Sequence, residues 1–259
     1  MASYNFRAHV ASDIPTHGQY VQPGSLISQT YIDSINEWSQ NHKAMLNQKK
    51  MKVMIFNFTN KYQFTTRLNR NNKNIEEADK AKILGTIITN TLKWDENCSY
   101  LIKKFNKRLV LLRKVATFCK NEQELKKIYT TFCRIVIEQS CELWASNLNK
   151  DNIDDLERCQ KAAMKIIMTN NIPYHKALEK LNIDTLEIRR EKLTLKWAKK
   201  ATKHDKIKYL FPFKKSTHTM DTRLKNKYEI TYANTERLRR SSINYMQRLL
   251  NKENIENNV

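Results

Sequence analysis

Glycine and proline are nearly absent from the body of this chain, and their scarcity limits the folds open to it. The 259 residues contain only 3 glycines and 4 prolines. Four of these seven lie in the first 24 residues, which leaves Gly85, Pro173 and Pro212 for the rest. Because these two residue types interrupt helices most strongly, their absence favours long helices. We therefore predict a mostly α protein, with a small α+β part followed by an antiparallel helical bundle.

The chain carries a large excess of positive charge. Its 47 lysine and arginine residues outnumber 26 aspartate and glutamate residues, which gives a formal net charge of +21. Such an excess indicates a polyanionic partner, either nucleic acid or an acidic membrane surface. The sequence has no apolar run near ~18 residues and no signal-like N-terminal stretch, so nucleic acid is favoured and a nuclear or cytoplasmic location is expected. A lysine-rich composition that only solvates the surface is the alternative.

The first third of the chain is predicted to contain an irregular segment, one helix and several strands. Residues 1–28 have loop-forming residues and no sustained period, so they are predicted to be irregular. Residues 29–90 are predicted to form a small α+β unit. Its expected elements are a helix from Tyr31 to about Asn47, strands or extended runs over Met51–Phe58, Tyr62–Leu68 and Lys80–Thr89, and a turn over Asn69–Asn74.

Residues 95–204 have the periodicity of packed helices. Asp95 is predicted to cap a helix whose apolar residues recur at alternating spacings of four and three. Asn121 is predicted to cap the next helix, Asp151 to open a third and Thr185 to cap a later one. The residues predicted to face inward on the first three helices are Cys98, Ile102, Phe105, Leu109, Leu112, Ala116 and Cys119, then Leu125, Ile128, Phe132 and Ile135, then Leu156, Cys159, Ala163 and Ile166.

The helix predicted from residue 95 carries a row of cations. Lys103, Lys107 and Lys114 share one face, opposite much of the apolar stripe, and Lys104 and Arg108 flank them. Cations aligned along a helix suit a phosphate backbone, because each contact releases a counterion. We identify these five residues as the candidate nucleic-acid-binding set, with an ordinary solvated face as the alternative.

A second basic region, residues 205–259, follows the bundle. From Leu186 to Arg240, 17 basic residues outnumber 6 acidic ones, and aromatic residues are interleaved with them. Such mixtures suit single-stranded nucleic acid, whose bases stack on aromatic rings. For Phe211 and Phe213, which flank a proline, the favoured interpretation is packing onto the bundle.

The sequence shows no complete catalytic site and no metal site. Its five cysteines and six histidines lack the closely spaced pairs that a zinc site needs. The acidic cluster of Asp151, Asp154, Asp155 and Glu157 lies at a predicted helix start, where carboxylates complement the helix dipole. A metal-dependent nuclease would rest on Asp154 and Asp155 alone.

Short motifs nevertheless occur in an informative order between about residues 5 and 251. They are Tyr31–Ser39, Leu46–Phe56, Lys82–Ile88, Leu92–Trp94, Lys107–Leu109, Ile137–Trp144, Asp155–Ala163, Tyr174–Leu181, Thr185–Arg190 and Thr235–Asn251. This succession resembles the C-terminal part of the reverse transcriptases of jockey-like non-LTR retrotransposons. The resemblance implies the last part of a polymerase palm at about 29–90 and a helical thumb at 95–204.

The resemblance implies roles for particular residues. Lys50 corresponds to the palm lysine near the incoming nucleotide, a candidate proton donor, although Met51 replaces the family's usual threonine after it. Leu84 and Gly85 correspond to the turn that grips the primer end. The helix that begins near Asp95 corresponds to the thumb, which gives its cations a use on a template–primer duplex.

The resemblance also implies an incomplete polymerase. In the family the motifs with the metal-binding aspartates precede a segment like Tyr4–Gln22, and Met1 stands just after the last of them. The complete enzyme holds two Mg²⁺ ions with carboxylates, whereas no cofactor is expected in this fragment. We expect a truncated reverse transcriptase without polymerase activity, which at most binds nucleic acid and which self-associates through exposed palm strands. The alternative is a host-retained helical module that binds acidic protein partners.

Overall fold

The structure divides into two compact units. The computed structural model describes residues 23–47, 50–58, 68–70, 73–168, 172–214 and 227–256. The first unit lies within Met1–Ala81 and Thr89–Leu92, and the second within Lys82–Ile88 and Lys93–Val259. Most described residues are helical, so the predicted mostly α class with a small α+β part is confirmed.

The first unit contains helix α1, Pro23–Asn41, and four very short strands. Strand β1, Lys52–Val53, pairs in parallel with β4, Glu76–Glu77. Strand β2, Asn69–Arg70, pairs antiparallel with β3, Lys73–Asn74. The side chain of Gln29 on α1 donates to the backbone oxygen of Asn69 at 2.8 Å and accepts from its N–H at 3.0 Å, so helix and hairpin are joined.

Two sequence predictions for this unit need correction. The irregular segment was predicted to extend to residue 28 and the helix to run from Tyr31 to about Asn47, but α1 spans Pro23–Asn41, because proline is well tolerated in the first turn of a helix. Within the predicted strand Met51–Phe58, the structure assigns strand β1 to Lys52 and Val53, which pair with β4 among the described residues. The run predicted from residue 62 lies outside the described residues except for Leu68, which is buried.

Residues 80–89 form a hairpin rather than the single predicted strand. Strand β5, Lys80–Ile83, and strand β6, Thr86–Thr89, pair across a two-residue turn. Leu84 and Gly85 form that turn with φ values of 49° and 86°. Two successive left-handed residues reverse the chain, and glycine at the second position makes this conformation accessible. The apolar run was therefore wrongly predicted to be continuous.

Helices dominate the second unit. In chain order they are α2 (Asp95–Phe118), α3 (Glu122–Ile128), a π-helical turn (Tyr129–Cys133), α4 (Arg134–Ile137), α5 (Cys141–Trp144), a 3-10 turn (Ala145–Asn147), α6 (Lys150–Ile167), α7 (Tyr174–Leu181), α8 (Leu186–Ala201), a 3-10 turn (Lys208–Leu210), α9 (Glu236–Arg239) and α10 (Ser242–Glu256). No helix among the described ranges is both long and apolar enough to cross a lipid bilayer.

Two of the four predicted helix starts are confirmed by side-chain caps, and α6 begins at Lys150, one residue before the predicted Asp151. Asn121 accepts hydrogen bonds from the N–H groups of Gln123 and Glu124, and Thr185 accepts from Ile188 N–H. Such caps satisfy backbone donors that have no partner within the helix. The predicted cap at Asp95 is wrong, because Asp95 is the first helical residue of α2 and makes no cap bond.

Asp95 instead joins the starts of two helices. Its carboxylate accepts hydrogen bonds from the side-chain amides of Asn149 at 2.9 Å and Asn152 at 2.7 Å. Asn149 is the cap of α6 and accepts from Asn152 N–H at 2.7 Å. The acidic residue therefore fixes the pair α2–α6, which packs as the centre of the unit.

The main core lies between α2, the segment from α3 to α5, and helices α6 and α7. Of the stripe predicted on α2, Cys98, Phe105, Leu109 and Leu112 are buried, together with Leu101, whereas Ile102, Ala116 and Cys119 are only half-buried. On α6 the predicted Leu156, Cys159 and Ala163 are buried and Ile166 is half-buried. The periodic stripes thus identify the buried side of both helices.

The prediction for the second bundle helix holds for Leu125 and for Ile128, which is half-buried against the core, but it is wrong for the later residues. Leu125 is buried, but Phe132 and Ile135 have exposed fractions of 37% and 48%. The π-helical turn Tyr129–Cys133 uses more residues per turn than an α-helix, so the inward face moves along the sequence. Tyr129, Cys133, Val136 and Ile137 are buried in place of the predicted residues.

A smaller apolar cluster joins the C-terminal segment to α8. It contains Ala198 and Ala201 of α8, Phe211, and Met246 and Leu250 of α10. The prediction that Phe211 packs onto the bundle is confirmed, but Phe213 is exposed and stacks on Tyr228 with ring centroids 4.7 Å apart.

Candidate nucleic-acid interface

Helix α2 brings three exposed lysines onto one face. Lys103, Lys107 and Lys114 are exposed, whereas the opposite side of the helix is buried in the core. We call these three residues the lysine face. Their spacings of four and seven residues keep them aligned, because an α-helix repeats every 3.6 residues. The helix rises about 16 Å over the eleven steps from Lys103 to Lys114, close to the length of five base pairs of a duplex.

Lys104 and Arg108 lie at the edge of this face and are held by the segment that follows α3. The Lys104 ammonium donates to Gln139 Oε1 at 3.5 Å. The Arg108 guanidinium donates to the backbone oxygen of Phe132 and lies 4.5 Å from the centroid of that ring. Both side chains are half-buried. They extend the positive surface while the neighbouring helix fixes their positions.

The hairpin turn is attached to the same helical segment by one side chain. Gln139 Nε2 donates to the backbone oxygen of Leu84 at 2.9 Å. A Cβ added to Gly85 would lie 2.3 Å from Gln139 Nε2, so this flexible side chain would have to move, whereas the positive φ by itself favours glycine. The Leu84 side chain is 93% exposed at the tip. The two residues identified as a grip thus form a rigidly anchored turn with an open apolar tip.

Tyr100 adds an aromatic ring to this surface. The ammonium of Lys82 on the hairpin lies 4.4 Å from the centroid of the Tyr100 ring, and that of Lys104 lies 5.5 Å away. A hydrogen bond from Lys82, followed by the positive charge of Lys104, lowers the pKa of the Tyr100 hydroxyl below its usual value. Lys82, Tyr100 and Gln139 were not predicted. The sequence signal that could have identified Tyr100 is its spacing of four residues from Lys104, which in turn lies four residues before Arg108, because residues four apart share one face of a helix.

Lys50 belongs to the first unit and is exposed just before β1. Its backbone N–H donates to Asn47 O at 3.1 Å. The second unit therefore contains the lysine face, Lys104, Arg108 and the hairpin turn. Lys50 is part of the first unit.

Two members of the acidic cluster of α6 make structural contacts. Asp155 forms an ion pair with Arg158 one turn later. Glu157 accepts hydrogen bonds from the Tyr174 hydroxyl and from Leu186 N–H, so it joins α6 to α7 and α8. Among the described residues, no group of three or more histidine, cysteine, aspartate or glutamate side chains could hold a metal ion.

Comparisons with known proteins find no relative of this chain. No family model, no curated protein and no solved structure matches the chain.

Proposed function

We propose that this chain binds a nucleic-acid duplex, as the palm–thumb part of a non-LTR retrotransposon reverse transcriptase would bind its template–primer. The observation that carries the proposal is the lysine face of α2. Three exposed ammonium groups along about 16 Å of helix match the repeated negative charge of a duplex backbone. The anchored hairpin turn and the Lys82–Tyr100–Lys104 group supply a polar and aromatic edge to the same helix.

The proposal requires that the lysine face of α2, and not the net positive charge of the chain, binds the duplex. Replacing Lys103, Lys107 and Lys114 together with glutamine should weaken binding to an RNA–DNA duplex by roughly tenfold or more. The slope of log K against log salt should fall in magnitude by about 2–3, because each lost phosphate contact removes about 0.9. All three side chains are exposed, so the melting temperature should not change.

A matched control removes three other exposed lysines of the second unit. Lys200, Lys203 and Lys206 are exposed, whereas their neighbour Lys199 forms an ion pair with Glu253 and is therefore left in place. The control triple variant should retain the affinity and salt dependence of the unchanged chain within about twofold. If both triple variants lose affinity and slope equally, binding is diffuse and the assignment to α2 fails.

A second candidate function is favoured by a different observation on the same helix. Leu111, Val115 and Phe118 form an exposed apolar stripe, and Phe118 is 90% exposed. An apolar stripe beside lysines suits an acidic amphipathic protein segment. Competition distinguishes the two functions: an acidic polypeptide such as polyglutamate should not displace the RNA–DNA duplex at equal charge concentration. Replacing Phe118 with serine should leave duplex affinity unchanged, whereas it would weaken a protein partner.

A further inference from the structure

A cavity of about 300 Å³ opens between the N-terminal half of α8, the 3-10 turn after α5, and helices α9 and α10. It lies wholly within the second unit, and none of the lysine face lines it. Its volume is at the lower end of the range for small-molecule sites. Four arginines and two glutamates line it, for a formal charge of +2, and two of these arginines, Arg239 and Arg240, form ion pairs with Glu236.

Three polar groups of this cavity have no hydrogen-bond partner in the described part of the chain. They are Arg190 Nη1, Thr194 Oγ1 and Ser146 Oγ. Arg190 is only 4% exposed and Thr194 only 1% exposed. A buried donor without a partner is destabilising, and a buried guanidinium is more so, because it remains charged at any ordinary pH. Three such groups in one cavity indicate a missing acceptor.

The surrounding charges do not remove this requirement. Burial lowers the pKa of Arg190, and the carboxylates of Glu157 and then Glu187 oppose that effect only in part. Of the two glutamates in the lining, Glu191 already lies 3.8 Å from the Lys252 ammonium. Arg248 is half-buried beside Tyr245, with its guanidinium 6.0 Å from the ring centroid, and it forms no ion pair among the described residues.

We propose that this arginine pocket, formed by Ser146, Arg190, Thr194, Tyr245 and Arg248, binds the phosphate monoester group of a small molecule. A guanidinium and two hydroxyls can each donate to a different oxygen, and a phosphate offers three terminal oxygens where a carboxylate offers two. The cavity exceeds the size of a phosphate, and Ile153, Leu148 and the Tyr245 ring leave an apolar side for an organic group. This site goes beyond duplex binding and does not depend on it.

The proposal is tested by calorimetric titration of the full chain with adenosine 5′-monophosphate, inorganic phosphate and adenosine. Sodium chloride at about 0.3 M screens contacts with exposed cations, because the Debye length is then below about 8 Å. One molecule of the monophosphate should bind per chain, inorganic phosphate should compete for the same site, and adenosine should not bind. Failure of both phosphate probes to bind overturns the proposal.

Variants assign the binding to the pocket. Thr194→Val keeps the shape of the side chain but removes its hydroxyl, so it should lower the affinity for the monophosphate by roughly tenfold. Arg248→Gln should lower that affinity by a similar factor. Arg190→Met should abolish binding, because it removes the buried guanidinium donor. If Arg190→Met fails to fold, the other two variants decide the question; equal affinity of both to the unchanged chain overturns the proposal.

Two further arms distinguish the source of the phosphate and the surface used. A short single-stranded oligonucleotide with a 5′-phosphate should bind no more tightly than the same strand without that phosphate; a preference of tenfold or more for the phosphorylated strand overturns the small-molecule assignment. The glutamine triple variant of the lysine face should bind the monophosphate as the unchanged chain does. Loss of binding in that variant shows that phosphate is held on α2 and overturns the pocket.

Discussion

Gly85 shows how one residue can carry both a backbone and a packing requirement. Its φ of 86° is left-handed, and a Cβ there would meet the amide of Gln139. Gly85→Ala should therefore lower the free energy of unfolding by about 1–3 kcal/mol, through the left-handed conformation and the contact together. Denaturant unfolding measures this change. The double variant with Gln139→Ala keeps the backbone strain and relieves the contact, so it should recover part of the loss; a neutral Gly85→Ala variant would contradict the turn geometry.

The buried thiols of Cys98 and Cys141 should make the stability of the fold depend on pH in the alkaline range. Burial raises the pKa of both Cys98 and Cys141 from 9.0 to about 12. Between pH 9 and pH 12 the unfolded chain therefore releases protons that the folded chain retains, so stability should be unchanged below pH 9 and should fall as the pH rises above it. Urea midpoints at pH 8 and pH 10 test this.

Replacing Cys98 with alanine supplies the control for the alkaline effect. The variant should be less stable than the unchanged chain at pH 8, because it leaves a cavity, but its loss between pH 8 and pH 10 should be smaller. An equal loss in both proteins would show that the Cys98 thiol does not contribute to it.

At the scale of the element, the π-helical turn between α3 and α4 decides which side chains are buried. Ile137→Ala should lower the free energy of unfolding by about 2–5 kcal/mol, because Ile137 is fully buried. Ile135→Ala, which makes the same chemical change at an exposed position two residues earlier, should cost less than about 1 kcal/mol. Thermal or denaturant unfolding compares the two variants directly. A larger loss of stability for Ile135→Ala than for Ile137→Ala would contradict the shift of the buried face at the π-helical turn.

The same element marks the limit of prediction from sequence. Asn121 and Thr185 were identified as caps because a cap depends on residues two or three positions away. The inward face of α2 followed from its own spacing. By contrast, the extra residue of the π-helical turn has no local signal, and Gln139 meets Leu84 across 55 positions of the chain. The arginine pocket joins groups from separate helices, which no single periodicity connects.

For the whole molecule, exposed apolar side chains predict self-association. The first unit exposes Tyr31, Ile35 and Trp38 along one face of α1, together with Phe56. Val53, Ile55 and Ile87, the apolar residues of the palm strands that were expected to be exposed, are half-buried instead. We expect the full chain to sediment as a dimer or larger species at micromolar concentration and to bind a hydrophobic dye.

A double variant tests the source of that association. Ile35→Lys and Phe56→Lys should shift the chain towards the monomer and reduce dye fluorescence, because both side chains are exposed in the first unit. Leu111→Lys on α2 is the matched change in the second unit and should have a smaller effect. A full-length chain that sediments as a dye-silent monomer would contradict the prediction.

The single amide of Gln139 makes the hairpin a reporter of events on α2. Its oxygen accepts from Lys104 and its nitrogen donates to the turn, so the two hydrogen bonds share one planar group. If a polyanion draws Lys104 towards itself, the Gln139 oxygen loses its hydrogen bond from Lys104. We then expect the Gln139 amide to rotate away from the turn more easily. Because such coupling is reciprocal, opening of the turn changes polyanion affinity by the same factor. Deuterium uptake at the hairpin amides would then record occupancy of a helix that the hairpin tip itself need not touch.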